Sequence, residues 1–495
     1  MSDWIKNIVN KVKDLSGSID SYQKASIIQS LPTVAYVNKA KKLIEGRKFD
    51  EAEAILNEAL DISDQDSRVY KYLGKICEMK AKFADAVMYY NTSAKINPQD
   101  KDIWLRLGMC QLNSKMYNDA LESFERANKI TPLNTDVQTG WGMTLMKLKK
   151  YALARDKFLM AAKISKYNFT AILLSAIMEI KLCDYESAEA KLAFLAKVAP
   201  NESSTYEYAN LKLLKADYDA AEVYAKRSIE FNRQMQPAYI VLGEVYSRRK
   251  DLEQTEKIFQ SALDNDLENE TLHYEWGKAY IRFFDFQKAR EHFNIALSKD
   301  KEYLNAKIAL ALIDALDGNF TLVEDLKEKN GNEVYMQEAI ALEKLHDGRV
   351  EDAVEMFKKA LRTDSSQTYN YLHLARANQL LGNNDKVREN FERFIRENPK
   401  YLDGFLEYSK WLIKIGDYAD AQRKLRKAEK IDNGNTEVLN LLFFTSYVLA
   451  KDNVCEYNIK EAILLAQKVE ATGCFEYEVE KLELENILKN LQGNS

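Results

Sequence analysis

The stretch DIWLRLGMCQLNSKMYNDALESFERANKITP, from Asp102 to Pro132, decides the fold. It reads as two amphipathic helices joined by a short turn. One residue does not suit a lone helix. Gly108 stands in the middle of the first helix, four residues after Trp104, where glycine costs roughly 1 kcal/mol against alanine.

The pattern recurs. Trp104, Leu107, Gly108, Tyr117, Ala120, Phe124, Ala127 and Pro132 lie 34 residues after Tyr70, Leu73, Gly74, Phe83, Ala86, Tyr90, Ser93 and Pro98. It returns at Tyr239, Leu242, Gly243, Leu252, Thr255, Phe259 and Ala262. It returns again at His273, Trp276, Gly277, Phe286, Ala289, Phe293 and Ala296. A small residue in each helix lets two backbones approach, Gly108 pairing with Ala120, while Trp104 and Phe124 fill the volume beside them. Pro132 falls in a turn, where its fixed φ and missing N–H are harmless. One such unit has too little core alone, so stability must come from stacking.

A repeated helix–turn–helix with this signature resembles the tetratricopeptide repeat (TPR). In phase with it, units start at Thr33, Ser67, Lys101, Thr135, Phe169, Glu202, Gln236, Glu270, Leu304, Val334, Thr368, Leu402 and Thr436. The spacing is 34 except for one of 33 before Glu202 and one of 30 between Leu304 and Val334. The resemblance implies an all-α chain, an α-solenoid forming a TPR right-handed superhelix of antiparallel helix pairs.

Departures from the pattern suggest an organisation. Residues 1–32 hold an amphipathic helix and a linker. Trp4, Ile5, Ile8, Val9, Val12 and Leu15 share one face at roughly 100° per residue. Residues 33–332 are a first sub-array and 333–470 a second. The joint lies at the shortened second helix after Phe320, where Val323 and Lys327 replace the expected Ala and Phe. A decayed repeat with no mechanical role is the simpler reading of the same residues. An insertion, Lys451 to Tyr457, separates the helices of the last unit. Residues 471–495 hold a capping helix from Glu476 to Leu491, rich in glutamate.

Composition excludes several functions. The net charge is −5, and the 30% of charged residues are of mixed sign, without the basic stripe of a nucleic-acid binder. The five cysteines form no CxxC and read as reduced thiols, mostly packing residues in helices. Without a signal peptide's apolar core or a membrane span, the expected location is cytoplasmic. No phosphate loop, nucleophile elbow or metal-ligand spacing occurs. Neither catalytic nor metal residues are assigned, no cofactor is expected, and the chain reads as no enzyme. His273, His292, His346 and His373 read as packing or surface residues in helices. The acidic run Asp61 to Asp66 reads as a solvated turn.

The TPR resemblance implies that the first helices line a concave groove. The inward positions are apolar in the third to sixth units: Leu105, Met109, Leu112, Met143, Met146, Leu173, Ile177, Ile180, Tyr206 and Leu213. The second unit offers Lys71 and Lys75 beside Arg68, and the eighth Tyr274, Lys278 and Arg282. Such a strip suits an amphipathic helix or apolar peptide of a protein partner. Some relatives clamp a chaperone's C-terminal carboxylate. Here Lys71 fits that clamp, but Lys75 stands where Asn belongs, Gly140 leaves a gap and Asp102 opposes the charge. No tight binding of an EEVD-type tail is expected. The expected function is a scaffold or adaptor. The alternatives are a membrane-surface assembly factor, recruited through Trp4 to Leu15, and a ligand-sensing regulator.

Overall fold

In a computed structural model, residues 33–493 are described. The expected helix from Trp4 to Leu15 lies outside them. The described residues form 27 α-helices and no strand. All but the last make thirteen antiparallel pairs, a first (A) and second (B) helix per unit, and the A helices begin within two residues of every expected start. In twelve of the thirteen units the A and B helices are seen to pack together, and most B helices pack on the following A helix.

Local sequence sets these bounds. Asp66, Asn134, Asn168, Asn201, Asn269 and Asn435 cap A helices with their side chains. Asp184, Asp217, Asp251, Asp285 and Asp417 cap B helices. Each cap satisfies an otherwise orphaned backbone N–H. Asp66 corrects the expectation of a wholly solvated acidic turn. It is 1% exposed and accepts from the Arg68 backbone N–H at 3.0 Å.

The turn between A and B helices needs one left-handed residue. Gly318, Gly348, Gly382 and Gly416 supply it in the ninth to twelfth units. Earlier units place bulkier residues there, including Lys115 (φ 62°), Lys149 (φ 57°), Lys250 (φ 57°) and Phe284 (φ 63°). That conformation costs an L-residue roughly 1–2 kcal/mol, partly offset by glycine's greater freedom when unfolded. Lys115 is exposed. Lys115→Gly is expected to stabilise the third unit by about 0.5 kcal/mol, read as a higher melting temperature. A lower one would show that the lysine earns its place through a contact.

Burial follows one register. The twenty-fourth position of each unit, on the B helix, is Leu56, Tyr90, Phe124, Phe158, Leu192, Ala225, Phe259, Phe293, Phe357, Phe391, Leu425 or Ile459. All are at most 1% exposed. The ninth unit alone breaks this spine. Its equivalent, Lys327, pairs with Glu343 at 2.8 Å. Gly108 answers to the spine. A Cβ there would lie 3.0 Å from the Phe124 ring, so the notch receives Phe124 and not Ala120. Gly140 of the next unit faces the same ring, its Cβ position 2.6 Å away. Gly74 with Tyr90, Gly142 with Phe158 and Gly277 with Phe293 repeat the arrangement.

The chain divides into two compact units, residues 33–241 and 242–493, within the A helix Gln236–Arg248. The 332/333 boundary expected from the sequence falls inside the second. In the ninth repeat the A helix Leu304–Leu316 is mostly apolar and buries Ile308, Leu310, Leu312 and Ile313. Its B helix Thr321–Asn330 is ten residues long, and the next A helix, Val334–His346, packs directly on Leu304–Leu316. Beyond this point Phe284, in the eighth repeat's turn, meets Tyr369 (5.0 Å between centroids), Phe394 (5.8 Å) and Tyr401 (4.6 Å).

The insertion Lys451 to Tyr457 lies between the two helices of the last unit, as expected, with only residues 453–455 outside them. Most of it is absorbed at the ends of a long A helix, Thr436–Asp452, and the following B helix, Glu456–Glu470. The last helix, Glu478–Gly493, covers the end of the array with Leu484, Ile487 and Leu488 in one cluster with Phe443. The cysteines differ in role. Cys77 and Cys110 are buried, but Cys183 and Cys474 are exposed, which corrects the reading of Cys183 as a packing residue. It occupies the left-handed turn (φ 60°). Among the described residues no helix is long and apolar enough to cross a membrane, and no group of three or more His, Cys, Asp or Glu is placed to hold a metal ion.

Candidate functional site

The A helices Ile103–Asn113, Thr135–Lys147, Phe169–Lys181 and Glu202–Leu214 carry the residues expected to line a groove. Leu105, Met109, Met143, Met146, Leu173, Ile177, Tyr206 and Leu213 are all half-buried. Leu112 and Ile180 are only 8% exposed and belong to the packing between helices. Leu105, Met109 and Met143 rest against the cluster of Trp104, Leu107 and Phe124. Met143, Met146 and Ile177 rest against Phe158 and Met178. The strip is thus one side of the core, continuous from the third to the fifth unit. In the sixth, burial pushes the Tyr206 phenol up to about 12 and raises the neighbouring Glu207 carboxyl above its usual range. The apolar strip therefore ends in a poorly hydrated polar spot.

The basic side chains of the second unit are placed differently. Lys71 donates to Asp100 (3.0 Å) and Asp102 (3.1 Å), and Arg68 to Asp66 (2.8 Å). The hydrogen bond from Lys71, ahead of burial, holds the Asp102 carboxyl below the usual carboxylate range. Lys75 is half-buried on the same helix. Asp102 thus takes the ammonium that a carboxylate clamp would offer to a ligand.

In the second compact unit A-helix residues and the connections between repeats enclose polar chemistry. Tyr274, Lys278, Glu333, Tyr335, Asp364 and Gln367 line a cavity of about 170 Å³. Arg282, expected in the groove, is 6% exposed and donates to Glu244 at 2.7 Å. Glu338 accepts from the Asn370 side-chain amide at 3.0 Å, and burial pushes its carboxyl up to about 7. Burial pushes His373 down to about 3, so it stays neutral at pH 7. His273 and His292 meet Nδ1 to Nδ1 at 3.1 Å, with His292 stacked on Trp276 at 4.3 Å between centroids. Burial, then His273, push His292 down to about 4. No signal in the sequence marks these buried groups. Charged positions on an amphipathic helix read as solvated until the neighbouring helix is known.

Comparison with known proteins follows the same repeat. The family described as Tetratricopeptide repeat matches residues 101–132, which contain the whole stretch from Asp102 to Pro132. A DnaJ homolog subfamily C member 7 homolog of Dictyostelium discoideum is 23% identical over 42% of this chain and 36% of its own length. A tetratricopeptide repeat and J domain-containing co-chaperone, DNJ1, of Cryptococcus neoformans is 27% identical over 28% of this chain and 25% of its own. The chain thus spans about a third of the length of one curated relative and a quarter of the other. Among solved structures, the APC/C hetero-tetramer Cut9–Hcn1 contains a chain that aligns with a TM-score of 0.55 at 11% identity. The alignment covers 93% of this chain and 96% of that one. At this identity the likeness is one of fold.

Proposed function

The chain is a tetratricopeptide repeat protein, and from that premise we propose that it is a non-enzymatic scaffold or adaptor that holds an amphipathic helix or apolar peptide of a partner protein in the groove of its third to sixth units. One observation carries this reading. Eight large apolar side chains on four successive A helices stay half-buried, where a contiguous wet apolar patch is unfavourable unless a partner covers it. Methionine at Met109, Met143 and Met146 suits such a surface, because its flexible thioether adapts to varied side chains. The scaffold acts in the cytoplasm and uses no cofactor.

Affinity capture from the source cell tests the proposal. Met109→Glu combined with Met143→Glu is expected to remove the proteins captured by the natural chain, while circular dichroism keeps the full helical signal. Each carboxylate would be left facing an apolar partner, at about 1–3 kcal/mol. Undiminished capture by a folded variant would place the partner elsewhere. The same chain is expected to leave an EEVD-type peptide unbound in calorimetry, since Asp102 already pairs with Lys71.

A further inference from the structure

Away from the groove, the turns of the seventh and eighth units face the loop between the eleventh and twelfth across a cleft of about 470 Å³. All of it lies in the second compact unit. Its apolar floor includes Phe284 and Tyr401. Five basic side chains surround that floor against one carboxylate, Glu397, in a chain whose net charge is −5. Arg396 and Lys400 are exposed at the rim. Arg282 lies deepest, at 6% exposed. Glu244 accepts from one end of its guanidinium, but its Nε is buried without a partner.

Lys250 sits between rim and floor. Its ammonium donates to the Arg282 carbonyl and lies 4.9 Å from the Phe284 ring centre. Burial, then the Arg282 charge, push this ammonium down to about 8. An incoming carboxylate would offset both by favouring the charged ammonium.

We propose that this cleft binds an acidic peptide segment of a partner protein, with carboxylates on the Lys250, Arg396 and Lys400 cations and an apolar side chain on Phe284 and Tyr401. Charge complementarity sets the sign of the occupant. The apolar floor sets its class, because a bare inorganic anion would leave both rings uncovered. The proposal goes beyond the groove reading and shares no residue with it.

The test uses the full chain and a fluorescein-labelled decapeptide of Asp and Glu flanking Phe and Leu, followed by anisotropy. Binding is expected to weaken as salt rises from about 50 to about 200 mM. It is expected to fall about ten-fold when the acids become Asn and Gln, and by a similar factor in Arg396→Gln/Lys400→Gln. Lys250→Gly removes the inner cation without straining the turn, since Gly318, Gly348, Gly382 and Gly416 hold the same position. It is expected to weaken binding by a similar factor. Met109→Glu is expected to leave binding unchanged, so failure here is separable from failure of the groove. Equal binding of the neutral peptide overturns the proposal, as does unchanged affinity in the charge variants. Full displacement by millimolar inorganic phosphate would assign the cleft to a small anion and also overturn it.

Discussion

Gly142→Leu is expected to destabilise the fourth unit by about 3 kcal/mol, the upper end of ordinary overpacking. Even a Cβ at this position would lie 2.6 Å from the Phe158 ring. Phe158 is fully buried and belongs to the spine, so it has no free space to retreat into. A gain of about 1 kcal/mol in helix propensity is too small to compensate. Gly108→Ala grades the same effect. Its Cβ would meet Phe124 at 3.0 Å, a distance the ring can accommodate by a small shift, so the net change is expected within about 1 kcal/mol. Hydrogen exchange across Thr135–Lys147 and Tyr151–Ile164 reads the local cost directly. An unchanged exchange pattern in Gly142→Leu would mean that the helices meet in another register, and the groove residues would move with it.

The second large effect is expected at Phe284. Phe284→Ala should cost about 2–3 kcal/mol, less than the 3–5 typical of a fully buried ring, since Phe284 is half-buried. The backbone keeps its left-handed turn in this variant, because Ala81 and Ala216 already occupy the same position (φ 57° and 56°). The loss therefore isolates the ring and its contacts with Tyr369, Phe394 and Tyr401. Lys149→Ala makes the same change in a turn where Lys149 is exposed and should shift stability by no more than about 0.5 kcal/mol. Equal effects in the two variants would remove the anchoring role assigned to Phe284.

The period made much of this fold legible. Because small and large residues recur every 34 positions, the unit starts follow from spacing alone, and so do the two helices of each unit. What spacing does not give is rotation about a helix axis. Gly108 reads as a notch from the sequence, but Ala120 and Phe124 lie only four residues apart on the facing helix, and choosing between them needs the packing. The groove list rests on the same register. It identified half-buried A-helix residues as a set, yet Leu112 and Ile180 turned out to sit deeper. The contacts of Phe284 had no signal at all, since they join repeats three units apart. The buried pair Glu338 and His373 was equally hidden, because only the tenth and eleventh A helices together exclude water from them.

Phe124 is clasped between Gly108 of its own unit and Gly140 of the next. At this repeat the unit of sequence and the unit of cohesion are therefore out of step by half a repeat: the B helix Tyr117–Ile130 is completed by the A helix Thr135–Lys147 that follows it. A fragment cut at this repeat border ends on an open clasp, however faithful its borders are to the pattern. A fragment that ends after that A helix closes it. Among the described helices, Glu478–Gly493 plays that part for the B helix Glu456–Glu470, with Leu484 packed in the cluster of Phe443.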